Sequence, residues 1–380
     1  MTRKPTKWLL KRLSNAFYVL LRFFNYYPYY QFLHNRYPRT ELAPDYIIEF
    51  SKSEKEFLKT CSASYNYLVP DFSMGHRQSP LQLFEIKDVK YLSRTGAIIK
   101  NGKPIVESGM SIDRLTGTKT YRDFSILIPK TYKEGVYTTI QHGHLADHNI
   151  SHWFLECLPR LYILTQLVNE QVTILMRKDA PLYQIYTLES LIRAYPNIKI
   201  KYVSKYLNIS IASFRLPSFV NNSYSGYLPG EISSWLRKNL WDSYKITYNS
   251  FKSRVYVSRG KAKTRRIINE VELITLLKKH GFKTIYAEEL DYGQQIQLFY
   301  DAEAVVSPHG AGLTNILFSE SCKILELHPA HIIKPHYMLL AKGLGFDYTP
   351  IIGSNGDQHE DFVVPVEAVE KWLQSKFVNS

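Results

Sequence analysis

From residue 254 onward the chain alternates between short apolar runs and amphipathic stretches. Residues 255–257, 284–286, 304–307, 323–327 and 348–352 read as buried strands. Between them, 267–279, 292–300, 313–318 and 334–342 repeat their apolar positions at helical spacing, and Gly281 ends the first of these. A last helix is predicted over 364–377. Strands alternating with helices imply a doubly wound parallel sheet, whose ligands lie beyond the carboxyl ends of the strands. Upstream the pattern is less regular. Residues 97–106 predict a hairpin turning at Asn101-Gly102. Strands are expected at 124–128, at 172–176 and just before Pro217. Helices are expected over 150–168 (despite Pro159), 181–194 and 231–244. Residues 42–130 read as a mixed, strand-rich region, and the change of pattern puts a domain boundary near 245–252.

Charge changes the picture at one end. The 380 residues carry a net charge of +14, and residues 1–40 contribute eight basic side chains and no acid. Leu9, Leu13, Phe17, Leu20 and Phe24 recur there at helical spacing, followed by Tyr26, Tyr27, Tyr29 and Tyr30. The apolar stretch 13–21 falls far short of the ~20 residues that a spanning helix needs. A basic amphipathic helix lying on an anionic membrane surface fits better. Cys61, Cys157 and Cys322 are widely spaced and odd in number, which argues against a disulfide framework and for a reducing compartment. No nucleic-acid-binding signature accompanies the positive charge.

Three segments carry candidate chemistry. Ser307-Pro308-His309-Gly310-Ala311-Gly312-Leu313-Thr314-Asn315 joins a strand to a helix start through a small-residue turn, where backbone N–H groups and a helix N-terminus can hold a phosphate. Ser258, Arg259, Lys261, Lys263, Arg265 and Arg266 follow the 255–257 strand at the same sheet edge, and such cations form charge-assisted hydrogen bonds to a diphosphate. His142, His144, Asp147, His148 and His152 lie within eleven residues. They suggest either a metal site, with one residue too many for the spacing of metallo-β-lactamase-like hydrolases, or an acid/base group at a helix start. His152 and Glu156 share a helix face, and Asn149 or Ser151 is placed to cap that helix. Glu326, near the carboxyl end of a strand, is placed to accept from a ribose.

Together these segments resemble glycosyltransferase family 61, the capsular-polysaccharide biosynthesis-type glycosyltransferases. The resemblance rests on Asn149 to Leu161, on Val255 to Arg259 with Arg265 to Glu270, and on Val305 to Asn315 with Leu325 to Pro329. It implies an α/β fold of GT-B type, with two Rossmann-like domains facing across a cleft. The domains would be the basic segment 1–40, an acceptor-side domain 41–248, a nucleotide-sugar domain 249–355, and a C-terminal helix within 356–380 crossing back to the first domain. It implies inverting transfer of a sugar from a nucleotide diphosphate sugar, UDP being the usual nucleotide, to a hydroxyl of a glycan acceptor, lipid-linked or free, with no obligatory metal or other cofactor. Capsule, lipopolysaccharide or another surface polysaccharide is the expected product, made at the inner face of the cytoplasmic membrane. In this reading Ser258, Arg259, Lys263, Arg266, His309, Gly310, Ala311, Gly312, Thr314, Asn315 and Glu326 bind the donor. His148, Asn149 and Arg160 lie on the acceptor side. The catalytic base is Asp147, His152 or Glu156. Two alternatives stand beside it: a metal-dependent hydrolase using His142, His144, Asp147 and His148, and a noncatalytic membrane-associated sugar-nucleotide-binding protein.

Overall fold

The computed structural model describes residues 33, 36–64, 72–110, 115, 128–141, 149–221, 224–249 and 251–377. The basic helix expected over 1–40, most of the strand expected at 124–128, and His142, His144, Asp147 and His148 lie outside these residues.

The first half is built on an eight-stranded mixed sheet. Its strands are β1 (Arg39–Ala43), β4 (Leu81–Leu92), β5 (Ala97–Lys100), β6 (Lys103–Pro104), β7 (Ile128–Thr138), β8 (Val172–Arg177), β9 (Ile198–Val203) and β10 (Leu207–Pro217). A separate ribbon pairs β2 (Tyr46–Ile48) with β3 (His76–Gln78). The order β6-β5-β4-β10-β7-β8-β9 is antiparallel up to β10 and parallel from β10 to β9. The predicted hairpin is β5–β6. Asn101 and Gly102 both adopt left-handed backbone (φ 50° and 73°), as a two-residue turn of matching twist requires.

Helix α1 (Lys52–Ser64) was not anticipated in the strand-rich reading of 42–130. It opens on a capping box: Ser51 Oγ accepts from the Glu54 amide, and the Glu54 carboxylate accepts from the Ser51 amide at 2.7 Å. The Ser-x-x-Glu signal was therefore present in the sequence. Helix α2 runs through Ile150–His152, Trp153–Cys157 and Leu158–Leu167, its middle portion wound as π-helix. Such turns are uncommon and often mark functional sites. Asn149 caps α2, its side chain accepting from the Ser151 amide at 3.0 Å. Helices α3 (Leu182–Ile192) and α4 (Gly230–Ser243) complete this half.

The second half is a five-stranded parallel sheet of β11 (Ser253–Val257), β12 (Phe282–Ile285), β13 (Ala302–Pro308), β14 (Lys323–His328) and β15 (Asp347–Ile352), in the order β12-β11-β13-β14-β15. Helices α5 (Glu270–Lys279), α6 (Tyr292–Tyr300) and α7 (His336–Leu344) alternate with the strands, and a 3₁₀ segment (Ala311–Phe318) follows β13. The last helix, α8, spans Val366–Phe377. Numbered within the sheet, the order is 2-1-3-4-5. Its direction of winding reverses between β11 and β13, which opens a crevice at their carboxyl ends.

The strand period sorts the residues onto two faces. Tyr256, Val306, Leu325 and Leu327 pack with Leu273, Leu277, Val369, Trp372 and Leu373. Helix α8 therefore covers its own sheet beside α5. This corrects the expected return to the first half, because the apolar face of α8 is spent within the second. Val255, Val257, Val305 and Ile324 point the other way, into a cluster shared with Trp153, Phe154, Leu158 and Leu161 of α2. Phe154 meets Phe318 edge-on, with centroids 5.5 Å apart. Burial of both faces explains why these strands read as continuous apolar runs rather than alternating ones. One apolar cluster thus fixes the His152 segment against the sheet that carries His309.

Candidate functional site

Arg259 and His309 both lie at the carboxyl edge of the second sheet, one just after β11 and the other just after β13. The Arg259 guanidinium rests directly on Gly310: a Cβ there would overlap Nη1 and sit 3.1 Å from Cζ. Glycine is required for that approach and not for its backbone, which is extended at φ 175°. Arg259 donates from Nε and Nη2 to the Thr264 carbonyl at 3.3 and 3.0 Å, closing the loop between them. Among the described residues it makes no ion pair. Burial and the neighbouring charge of Arg265 hold its pKa below the usual guanidinium value. A part-buried cation whose hydrogen bonds among the described residues go only to a carbonyl is poised for an anion. The first amides of the 3₁₀ segment after Gly310, those before Leu313, have no acceptor within the segment.

The two adjacent arginines diverge. Arg265 adopts a left-handed backbone (φ 61°), which costs a non-glycine residue about 1–2 kcal/mol. It turns inward: Nη1 donates to the His309 carbonyl at 3.2 Å, and Nε lies 3.0 Å from Glu360. Arg266 turns the other way and is committed to Asp361, with Nε–Oδ2 2.8 Å and Nη2–Oδ2 2.6 Å. The expected place of Arg266 beside the turn is therefore taken by Arg265. Lys263 is exposed at the loop tip. Lys334, just before α7, is more closely involved: burial and the charge of Arg265 both lower its pKa.

His309 is held from beneath. Its Nδ1 lies 2.5 Å from Glu326 Oε1, and the other carboxylate oxygen accepts from Tyr348 OH at 2.6 Å, with His328 Nε2 at 3.5 Å. Glu326 is wholly buried, which alone would raise its pKa. The His328 and His309 rings outweigh this and hold it below the usual carboxylate range. Burial pushes His309 down to about 4, only partly offset by Glu326. The pair is an ionised carboxylate accepting from a neutral imidazole, whose tautomer it fixes. Both oxygens of Glu326 are engaged, so it serves as the support of His309 and has none to offer the ribose it was expected to meet. His309, Glu326 and His328 are the described residues whose donor atoms converge closely enough to suggest a metal. The 2.5 Å contact is that of a hydrogen bond, shorter than two ligands of one ion would keep.

Four further candidates prove to be interior. Ser258 donates to Glu270 at 2.6 Å and accepts from the Gly260 amide, so it fixes the loop. Thr314 and Asn315 are buried in the 3₁₀ segment, Asn315 donating to Gln295 at 2.8 Å. Arg160 is also fully buried, donating to the Pro217 and Ile140 carbonyls at 3.0 and 3.1 Å and stacking on Phe219. Burial lowers its pKa to about 10. It clamps the ends of β7 and β10, which corrects the acceptor-side role.

On the facing helix, His152 Nδ1 lies 2.9 Å from Glu156, with side chains 22% and 2% exposed. The buried carboxylate orients the more accessible ring. His336, at the start of α7, joins the two groups. Its ring lies 6.0 Å from that of His309, its Nδ1 is 3.2 Å from Tyr224 OH, and the charges of both Glu156 and Glu326 act on it. Burial lowers it to about 3. Tyr337 stands 5.3 Å from the His309 ring and also meets the Ser151 hydroxyl. Arg265, Lys334, His336 and Tyr224 were not chosen from the sequence. Arg265 lay in a recognised basic cluster, but Lys334 and His336 sit in a segment with no local signature.

Arg259, Arg265 and a carboxylate-held His309 thus gather at the switch point of the parallel sheet. Residues 150–325 match the family model Glycosyltransferase 61, a match that supports glycosyltransferase family 61. That family implies a sugar donor and a glycan acceptor in general. No curated protein matches the chain. Among the described residues no helix is long and apolar enough to cross a membrane.

Proposed function

We propose that the protein is an inverting glycosyltransferase of GT-B type, moving a sugar from a nucleotide diphosphate sugar, UDP being favoured, to a hydroxyl of a glycan acceptor. The observation that carries this reading is the contact of Arg259, a part-buried cation in no ion pair among the described residues, with the Gly310 turn at the β11/β13 crevice. A departing diphosphate placed there meets Arg259, Arg265 and the amides from Gly310 to Gly312. Its developing charge is stabilised by groups that need not move. His309, held by Glu326 through Nδ1, keeps Nε2 for the donor in this reading.

The acceptor hydroxyl approaches from α2. His152 is the base in this reading, because it is the accessible member of its pair, while Glu156 fixes the ring and stabilises the imidazolium as the proton arrives. The hydroxyl oxygen bonds to the anomeric carbon as the bond to the diphosphate breaks, and the proton passes to His152. Metal-independent transfer belongs to the same proposal, since cationic side chains supply the charge. So do a role in surface-polysaccharide synthesis and attachment to the inner membrane face through residues 1–40.

A thermal-shift panel of nucleotide sugars and bare nucleotides tests the donor assignment. A ligand of the folded state raises the melting temperature by mass action. UDP and a UDP-sugar are expected to stabilise the wild type and not Arg259→Ala. Stabilisation by no nucleotide, or equal stabilisation of both proteins, would overturn it.

A further inference from the structure

Glu360 pairs with Arg265 beside the proposed diphosphate site, and its backbone is unusual. It adopts the left-handed region at φ 62°, as does its partner Arg265 at φ 61°. Two strained non-glycine residues that face each other persist only where the surroundings hold them, and such strain gathers at functional positions. The surroundings here are specific. The Arg265 amide donates to the His359 carbonyl, and the Glu360 amide to that of Asp357. The Arg266–Asp361 pair anchors the next step of both segments. The Glu360 carboxylate lies 3.0 Å from Arg265 Nε, while the same guanidinium reaches the His309 carbonyl.

Electrostatics extend the pairing beyond Arg265. Arg259 and Lys334 are each lowered first by burial and then by the charge of Arg265, so Arg265 disfavours both. Glu360 acts against this on both Arg259 and Lys334, in addition to pairing with Arg265. One half-buried carboxylate therefore serves three cations that a diphosphate would otherwise neutralise.

Resting on the donor reading above, we infer that Glu360 is a built-in counterion of the diphosphate site, occupying Arg265 when the site is empty and competing with the nucleotide for it. Bound diphosphate takes over Arg265 and leaves Glu360 facing its negative charge. After transfer, the same repulsion favours release of the nucleoside diphosphate. Glu360 thus weakens product binding and speeds turnover. It touches no reacting atom and acts through Arg265 as a positioning residue.

The test is calorimetric titration of UDP and of inorganic pyrophosphate into the full-length wild type, Glu360→Gln and Glu360→Asn, with stopped-flow measurement of UDP release. Asparagine tolerates the left-handed backbone, so the second variant guards against misfolding of the first, and thermal melting confirms that each is folded. Removing the competing charge is expected to tighten UDP binding about tenfold in both variants, mainly through slower release. If the wild type binds UDP and the variants bind it equally or more weakly, Glu360 is only a structural support for Arg265. The counterion role then fails while the donor reading stands. If the wild type binds neither UDP nor pyrophosphate, the donor reading fails and this inference with it.

Discussion

Gly310→Ala isolates the contact on which the proposed donor site depends. The backbone at Gly310 is extended, so alanine introduces no conformational strain. The new methyl group would instead collide with Arg259 Nη1 and lie 3.1 Å from Cζ. The guanidinium must swing aside, weakening its two bonds to the Thr264 carbonyl. These bonds are local, and the expected loss of stability is below about 1.5 kcal/mol. The loss in nucleotide affinity should be larger. A charge-assisted hydrogen bond is worth about 1.5–3 kcal/mol, which corresponds to roughly ten- to a hundredfold in the dissociation constant of UDP. The assay is a double-mutant cycle by isothermal titration: wild type, Gly310→Ala, Arg259→Ala and the double variant. If Gly310 matters only because Arg259 rests on it, adding Gly310→Ala to Arg259→Ala changes binding by less than about twofold. Unchanged affinity in Gly310→Ala, or losses that add in the double variant, would refute the reasoning.

Other expectations follow from the remaining contacts. Arg265→Ala should weaken UDP binding about tenfold, whereas Arg266→Ala should lower the melting temperature and leave affinity within about twofold, because Arg266 is bound to Asp361; titration of both variants separates these outcomes. Arg160→Ala should cost about 3 kcal/mol in denaturant unfolding by leaving the Ile140 and Pro217 carbonyls unpaired, with no loss of UDP affinity in the folded protein. Stability should also fall as pH drops below about 6.5, the ordinary histidine value. His309 and His336 are lowered to about 4 and about 3, so between these values and 6.5 the unfolded chain binds protons that the folded chain refuses. At pH 5 each contributes up to about 2 kcal/mol of loss relative to pH 7, and His336→Gln should remove roughly half of the combined effect in denaturant titrations at the two pH values.

The second half of the molecule was the more legible. Its strands are buried on both faces and its helices on one, so apolar runs and amphipathic stretches alternate cleanly. The helix at Tyr292–Tyr300 and the strand β11 stand where the pattern put them. The positions of Arg259 and His309 at one sheet edge followed from that alternation alone. Which way each side chain turns did not. Arg265 and Arg266 are neighbours of identical type, and only the left-handed backbone at Arg265 sends one inward and the other to Asp361. Glu326 looked available because it stands near the end of its strand, but β15 and α1 cover that face. Tyr348 bonds to it, and Phe57 lies 5.9 Å from the Tyr348 ring. Arg160 was placed on the acceptor side through the family resemblance. Its partners are carbonyls 20 and 57 residues away, which no local pattern reveals. The course of α8 was likewise a tertiary matter: its apolar stripe fits any exposed apolar face, and the nearest lies on its own sheet.

The central claim is that the Arg259–His309 crevice holds the diphosphate of a sugar donor during transfer. Release of nucleoside diphosphate from a panel of nucleotide sugars, measured with a mixture of glycan acceptors, tests it most directly when wild type, Arg259→Ala and His309→Ala are compared. The account predicts release from at least one nucleotide sugar by the wild type and a loss of about a hundredfold or more in both variants. No release from any nucleotide sugar, or release by either variant at the wild-type rate, would contradict it.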